Sequence, residues 1–489
     1  MMLMPLCTWA AKQGYAVFDS NTGTLTFKYG EKPSGDNVYD TDATGYLPKW
    51  YDYGKGICAQ IKKVVFDESF NEARPTSTNS WFNGAKELTE IVDIKNLNTD
   101  EVTNMASMFF YCQNLETVDL ENFNTSKVTD MNRMFSSCIS LTSLDLSGFN
   151  VGNVTNMEYM FSGLSNLTEL NLGDFDASNV KTFYYMFWGN SNLTKIEATS
   201  FTTEKATNYH SMFDGCKSLT SIDVSKFNTS QATDLSDLFD GCTNLKELDL
   251  SNFDTSNATN ISNMFYKCTS LTSINLSSFN TANVTSIGGM FKGCESLKEL
   301  DLKHFNTENV KGMGAMFEDC KSLESLDIKN FNTSKCFHFE EMFSRCESLK
   351  SLDVTNFNTE NAENMRGMFA GCFRLTELDV TNFVTNNVTN MQSMFAYCRG
   401  LEKLDLTRFD TGNVTAMSSM FMDCKSLTTL DLSSFNTANV TDMGLMFGGC
   451  SALTSLDVSH FNTANVTDML RMFYGCYSLS TIKAGDGWI

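Results

Sequence analysis

A Phe, preceded by Met in every case but Leu238-Phe239, recurs along this chain at intervals of 26 residues, from Phe109 through Phe135, Phe161 and on to Phe473, without insertion or deletion. A strict period of this length is the signature of a stacked array, in which each unit is too small to bury its own core and shares one with its neighbours. The period therefore overrides the usual expectation that 489 residues divide into several globular domains. All four prolines (Pro5, Pro33, Pro48, Pro75) precede the array, so the first 80-odd residues form a different module.

With the first Leu of a unit as position 0, the coil at Leu427 reads "LTTLDLSSFNTANVTDMGLMFGGCSA" and is apolar at positions 0, 3, 5, 8, 13, 16, 19, 20 and 23. Positions 3 and 5 flank an Asp, the alternation of a short strand with one buried face. Val440, Met443, Met446/Phe447 and Cys450 at positions 13, 16, 19/20 and 23 follow helical spacing, with Thr441 or Asp442 where an N-cap belongs. The expectation is an α/β solenoid with one short parallel strand and about two turns of helix per coil, joined by a right-handed connection.

Residues 88–482 are expected to form this solenoid, and residues 61–87 a degenerate capping repeat. Residues 13–60 are expected to be a β-rich module, since "YAVFDSNTGTLTFKYG" alternates around an Asn-Thr-Gly turn. Residues 1–12 have the look of a signal-peptide remnant, with Thr8 and Ala10 before a cleavage point; the alternative is an ordinary N-terminal strand. Residues 483–489 are expected to be a truncated C-terminal extension.

The pattern "LxxLDLxxFNTxxVTxMxxMFxxCxxL" resembles the leucine-rich-repeat consensus and, more closely, the 26-residue repeats of BspA-like bacterial surface proteins. That resemblance implies a leucine-rich-repeat solenoid, secreted or on the bacterial cell surface, that adheres to host proteins or other cells. One departure concerns the turn: the usual ladder Asn at position 8 is Phe, as at Phe435, with Asn436 shifted by one.

A net charge of −22 and a pI of about 4.6 argue against nucleic-acid or anionic-membrane partners. No apolar run approaches the roughly 20 residues of a transmembrane helix. Catalysis is not expected. His304 and His460 share position 7 but lie six coils apart, and His210 and His338 are solitary. No His/Cys/Asp set has zinc spacing, and no Gly-rich loop follows a strand, so neither metal nor cofactor is expected.

Thirteen of the sixteen cysteines occupy position 23, where Leu164 and Asn190 substitute, and Cys336 sits in the Val column. Exchange with Leu and Val marks a buried hydrophobe, and coil spacing is too long for a disulfide, so the column is expected to be a ladder of thiols. Position 4 is Asp in twelve coils, including Asp301, Asp327, Asp353, Asp379 and Asp405, all expected to face outward. Carboxylates about 4.8 Å apart repel by about 0.9 kcal/mol even in water. Either Ser/Thr donors at positions 2 and 6 or a bound cation or basic partner should compensate.

The repeat departs from itself in coils three and four, where Tyr159 and Tyr185 share position 18 and Tyr184 and Trp188 are expected to form an i, i+4 pair on one helix. Aromatics clustered on a polar face suit interface anchors, though they could instead cover a core altered by Asn190. The function expected is a non-catalytic, monomeric surface protein that binds a host or bacterial surface macromolecule, a protein by preference, in adhesion. An intracellular repeat scaffold and a passive stalk are the alternatives.

Overall fold

The computed structural model describes residues 11–41, 47–51, 56–197 and 201–488. The signal-peptide reading of Thr8 and Ala10 falls outside them. The chain divides into two compact units, one ending at Gln231 and one beginning at Ala232.

In the first unit, β1 (Gln13–Asp19) and β2 (Thr24–Gly30) form the expected hairpin, with β3 (Val38–Asp40) antiparallel on the other edge of β1. Its turn requires glycine: Gly23 has φ +70°, and a β-carbon there would lie 2.7 Å from the Gln60 carbonyl. β2 then pairs in parallel with β4 (Lys63–Phe66), and β4 with β5 (Glu90–Val92), so the hairpin and the first coils share one sheet. Beneath it Phe27 stacks on Phe66 at 4.7 Å and on Trp81 at 4.9 Å, while the Trp50 indole donates to the Trp81 carbonyl at 2.7 Å.

Both units continue as β-solenoids whose coils repeat every 26 residues. The apolar columns face inward as expected, and Phe291, Met316, Cys320 and Leu323 are 0–1% exposed. The helix expected in each coil is absent: no α-helix occurs among the described residues. The segment is instead a run of tight turns that pairs with the adjoining coil.

Hydrogen-bond bookkeeping explains the difference. In the coil at Leu427, Met446 N–H donates to Met443 O at 3.1 Å, Gly448 N–H to Leu445 O at 2.8 Å and Cys450 N–H to Phe447 O at 3.1 Å. Each closes a four-residue turn. The alternate amides of Met443, Leu445, Phe447 and Gly449 point the other way, to the Asp468, Leu470, Met472 and Tyr474 carbonyls of the next coil at 2.6–3.0 Å. An α-helix would have kept every bond local and left neighbouring coils joined by side chains alone.

Turning alternate amides outward needs left-handed residues at positions 18 and 22, as at Leu445 (φ 56°) and Gly449 (φ 78°). Eight of the fifteen coils accordingly place Gly at position 22. Elsewhere a side chain tolerates the strained conformation, Arg345 at φ 56° among them, at roughly 1–2 kcal/mol each. The added inter-coil bonds offset that strain. Asp442, expected as an N-cap, opens the turn run by accepting Gly444 N–H at 2.9 Å.

As a result the most regular ladder lies at position 15. Parallel bridges run from Asn104 to Asn208 in the first unit and from Asp234 to Asp468 in the second. The expected strand at positions 2–4 is regular in fewer coils: β6 (Glu169–Asn171) with β7 (Lys195–Glu197), β8 (Glu247–Asp249) with β9 (Ser273–Asn275), and β10 (Ser455–Val458) with β11 (Thr481–Ala484).

Side chains complete the coil-to-coil bonding. The buried Thr411 hydroxyl donates to the Asn436 carbonyl at 2.9 Å and accepts the Asn436 amide at 2.8 Å, so one side chain satisfies both backbone groups of a residue in the next coil. Asn439 reaches back to the Gly412 carbonyl at 2.7 Å. Asn330 and Asn356 at position 7 bond carbonyls of the preceding coil at 2.6–3.2 Å. These residues perform the ladder role that Phe at position 8 cannot, and Phe435 itself joins the core at 2% exposure.

Candidate functional site

The cysteine column is structural in its geometry. Each thiol reaches the carbonyl of the column Phe one coil back, as with Cys320 to Phe291 and Cys346 to Phe317, both at 3.2 Å. Asn190, fully buried, takes over the same bond: its Nδ2 donates to the Phe161 carbonyl at 2.9 Å and its Oδ1 accepts Leu164 N–H at 2.7 Å. Burial pushes the thiols up, to about 12 at Cys216, Cys372 and Cys450. Among the described residues no group of three His, Cys, Asp or Glu side chains is arranged to hold a metal.

Two of the histidines belong to the ladder as well. His304 Nε2 lies 2.8 Å from the Leu276 carbonyl and His460 Nε2 lies 2.7 Å from the Leu432 carbonyl, the contacts their position-7 counterparts make. His338 instead faces Glu340, with Nδ1 and Oε2 3.4 Å apart.

The aromatic departures lie together outside the turn wall. Positions 16, 19, 20 and 23 point inward, whereas Tyr159, Tyr184, Tyr185 and Trp188, at positions 17, 18 and 21, keep part of their surface exposed. Tyr159 and Tyr185 are lateral neighbours as expected, stacked at 5.0 Å with planes 2° apart, and the Arg133 guanidinium covers the Tyr159 ring at 4.7 Å. Both tyrosines are left-handed (φ 56° and 55°), and their amides donate to the Tyr184 and His210 carbonyls at 3.0 Å. The rings therefore stand on the ladder itself.

The i, i+4 helical pair is replaced. Without a helix, Trp188 meets Tyr185 edge-on at 5.8 Å, and Tyr184 stacks on His210 at 5.2 Å. His210, solitary by sequence reasoning, shares position 17 with Tyr184 one coil back and packs against both Tyr184 and Tyr185. Its Nε2 lies 3.2 Å from the Tyr185 hydroxyl. Partial burial pushes the Tyr184 and Tyr185 phenols up. Trp188 keeps 44% of its surface exposed, whereas Phe183, Met186 and Phe187 are at most 1% exposed. The cluster thus lies over an intact core.

In the second unit, Asp301, Asp327, Asp353, Asp379 and Asp405 are exposed. Each accepts the amide two residues ahead, at 3.0–3.4 Å. Thr355, Thr381 and Thr407 add hydroxyl bonds of 2.6–2.7 Å. Those side-chain bonds, then the amides, hold the Asp353, Asp379 and Asp405 carboxyls below the usual range. The donors are at position 6, one of the two expected compensations.

No helix of the described residues is long and apolar enough to cross a membrane. Among solved structures the chain is similar to a leucine-rich repeat protein from Bacteroides ovatus, at 16% identity over 92% of this chain and 95% of that one, with a TM-score of 0.40. It is similar to the functional domain of InlJ from Listeria monocytogenes, described as including a cysteine ladder, at 16% identity, 83% and 69% coverage and a TM-score of 0.28. A leucine rich cell surface protein from Faecalibacterium prausnitzii matches at 12% identity, 99% and 95% coverage and a TM-score of 0.26. No curated protein matches the chain. The DUF285 profile, described as a Mycoplasma protein of unknown function, matches four times in succession, at residues 76–198, 189–302, 286–404 and 396–484. The chain belongs to the DUF285 family.

Proposed function

We propose that this chain is a non-catalytic repeat protein, secreted or displayed on a bacterial surface, that binds a protein on a host or bacterial surface in adhesion. The reading rests on one observation: where the repeat departs from itself, Tyr159, Tyr184, Tyr185 and Trp188 cluster outside an intact core and are held by the coil-to-coil ladder. Large rings fixed on a rigid backbone lose little entropy on binding, which is how aromatic anchors contribute. The thiols do not count against an oxidising location. Cys320 and Cys346 and their neighbours are buried and bonded to carbonyls, out of reach of oxidant.

The test is capture by the immobilised chain of purified host extracellular-matrix proteins and of intact bacterial cells. Trp188→Ala combined with Tyr185→Ala should weaken capture at least tenfold, about 1.4 kcal/mol or more. The melting temperature should stay within a few degrees, because these rings stand outside the buried column of Phe183, Met186 and Phe187. Capture unchanged in the double variant would place binding elsewhere.

A further inference from the structure

The strand column is continuous in sequence but not in pairing, and all but one of the interruptions described below fall where Asp faces Asp. Where adjoining coils form strands, the facing position-4 residues are Asn171 with Glu197, Asp249 with Asn275, and Asp457 with Lys483. The bridge at Asp145 likewise faces Asn171. Asn275 donates to the Asp249 carboxylate at 3.0 Å, and Lys483 binds that of Asp457 at 2.9 Å.

Where Asp faces Asp the strands are not formed among the described residues. This holds for Asp93, Asp119 and Asp145 in the first unit, and for every interval from Asp301 through Asp327, Asp353, Asp379, Asp405 and Asp431 to Asp457 in the second. Asn275 and Asp301, at the edge of that run, do not pair with each other either, although Asn275 is neutral.

The backbone bond just ahead of the strand, from position 1 to position 1 of the preceding coil, records the same division. It measures 2.8 Å from Thr194 to Thr168, 2.9 Å from Thr272 to Lys246 and 3.0 Å from Ser480 to Thr454, in the three paired intervals. Between coils whose aspartates face each other it lengthens to 3.1 Å at Glu324, 3.2 Å at Thr142, 3.3 Å at Glu402 and Thr454, and 3.5 Å at Lys350. The turn wall of the same coils does not loosen: Met316, Met342 and Met368 carbonyls each accept the preceding coil's Phe amide at 2.9–3.0 Å. The strand side is thus more loosely bonded where Asp faces Asp, while the turn wall keeps its lengths.

We propose that the Asp column is a charge-controlled zipper, in which like carboxylates hold successive strands apart and loss of their charge lets the strands pair. Bonds from their own turns hold the Asp353, Asp379 and Asp405 carboxyls low, even though Asp353 and Asp405 push Asp379 the opposite way. Asparagine preserves that turn, since Asn171 and Asn275 accept the same amide bond at 2.8 and 3.2 Å. Replacing Asp by Asn therefore removes the charge, keeps the turn and adds an amide donor of the kind Asn275 directs at Asp249. Whatever neutralises this face is converted into backbone pairing between coils. The inference rests on the strand face alone and is independent of the aromatic cluster.

The test is backbone amide hydrogen exchange in the full chain. Asp327→Asn, Asp353→Asn and Asp379→Asn together should slow exchange at Leu352, Val354, Leu378 and Val380 at least tenfold. The mirror variant, Asn275→Asp, places two carboxylates across β8 and β9 and should speed exchange in β9 at least tenfold, with the turn-wall amides of Phe265 and Phe291 unmoved. Unchanged exchange in the triple variant, or a β9 still protected in Asn275→Asp, would overturn the zipper. Wall amides that accelerate together with β9 would also overturn it, because the effect would then be general unfolding.

Discussion

Raising the pH from 8 to 10 should lower the melting temperature of the second unit by on the order of 20 °C or more. Eight ladder thiols of that unit, Cys268, Cys294, Cys320, Cys346, Cys372, Cys398, Cys424 and Cys450, are raised from an ordinary value of 9.0, chiefly by burial. The native thiols keep their protons at pH 10, while the unfolded chain gives them up above about 9. The unfolded state then binds fewer protons, so stability is fully present below pH 9 and is lost as the pH climbs toward the folded values. One pH unit is worth a little over 1 kcal/mol per thiol, so eight withdraw on the order of 10 kcal/mol, comparable to the whole stability of a domain. Thermal unfolding followed from pH 7 to 11 measures this. Cys346→Val, Cys372→Val, Cys398→Val and Cys424→Val together should move the alkaline transition to higher pH. A melting temperature flat through pH 10 would mean the thiols are not sealed in the core.

The second large effect belongs to the aromatic column. Phe291 is fully buried and stacks on Phe265 at 5.6 Å and on Phe317 at 5.9 Å. Phe291→Ala removes both stacks and leaves a cavity in a wall that cannot collapse without breaking inter-coil bonds, so the expected loss is about 3 to 5 kcal/mol. Solenoid coupling is nearest-neighbour, so exchange should accelerate first in the coils on either side of Phe291. Chemical denaturation gives the total and site-resolved exchange gives its spread. A loss below about 1 kcal/mol would contradict the packing described here.

Much of this arrangement is legible in the residues. The 26-residue period and the inward columns of Leu, Val, Met and Phe follow from which positions repeat. The exchange of Cys with Leu164 at position 23 likewise marks a buried, unoxidised column. The turn wall was not legible from apolar spacing, because positions 13, 16, 19/20 and 23 line one face of a helix and equally the inner side of successive tight turns. Glycine at position 22 was the available signal, since a left-handed residue recurring in mid-segment has no place in a regular helix. The aromatic site was half legible. Tyr159 and Tyr185 share a column and do meet, but the partners of Tyr184 and Trp188 depended on the backbone between them. Strand pairing was obscured for another reason: alternation around Asp405 marks an extended segment, and charge across the interval determines whether it zips.

The coils are joined through alternating local and inter-coil amide bonds, and no α-helix occurs in them among the described residues. Far-ultraviolet circular dichroism of the purified chain tests this most directly. A helix of two turns in each 26-residue coil would make roughly 0.3 of the array helical and would produce the paired negative bands of an α-helix. The turn ladder predicts that those bands are missing. A spectrum that shows them at this strength would contradict the account.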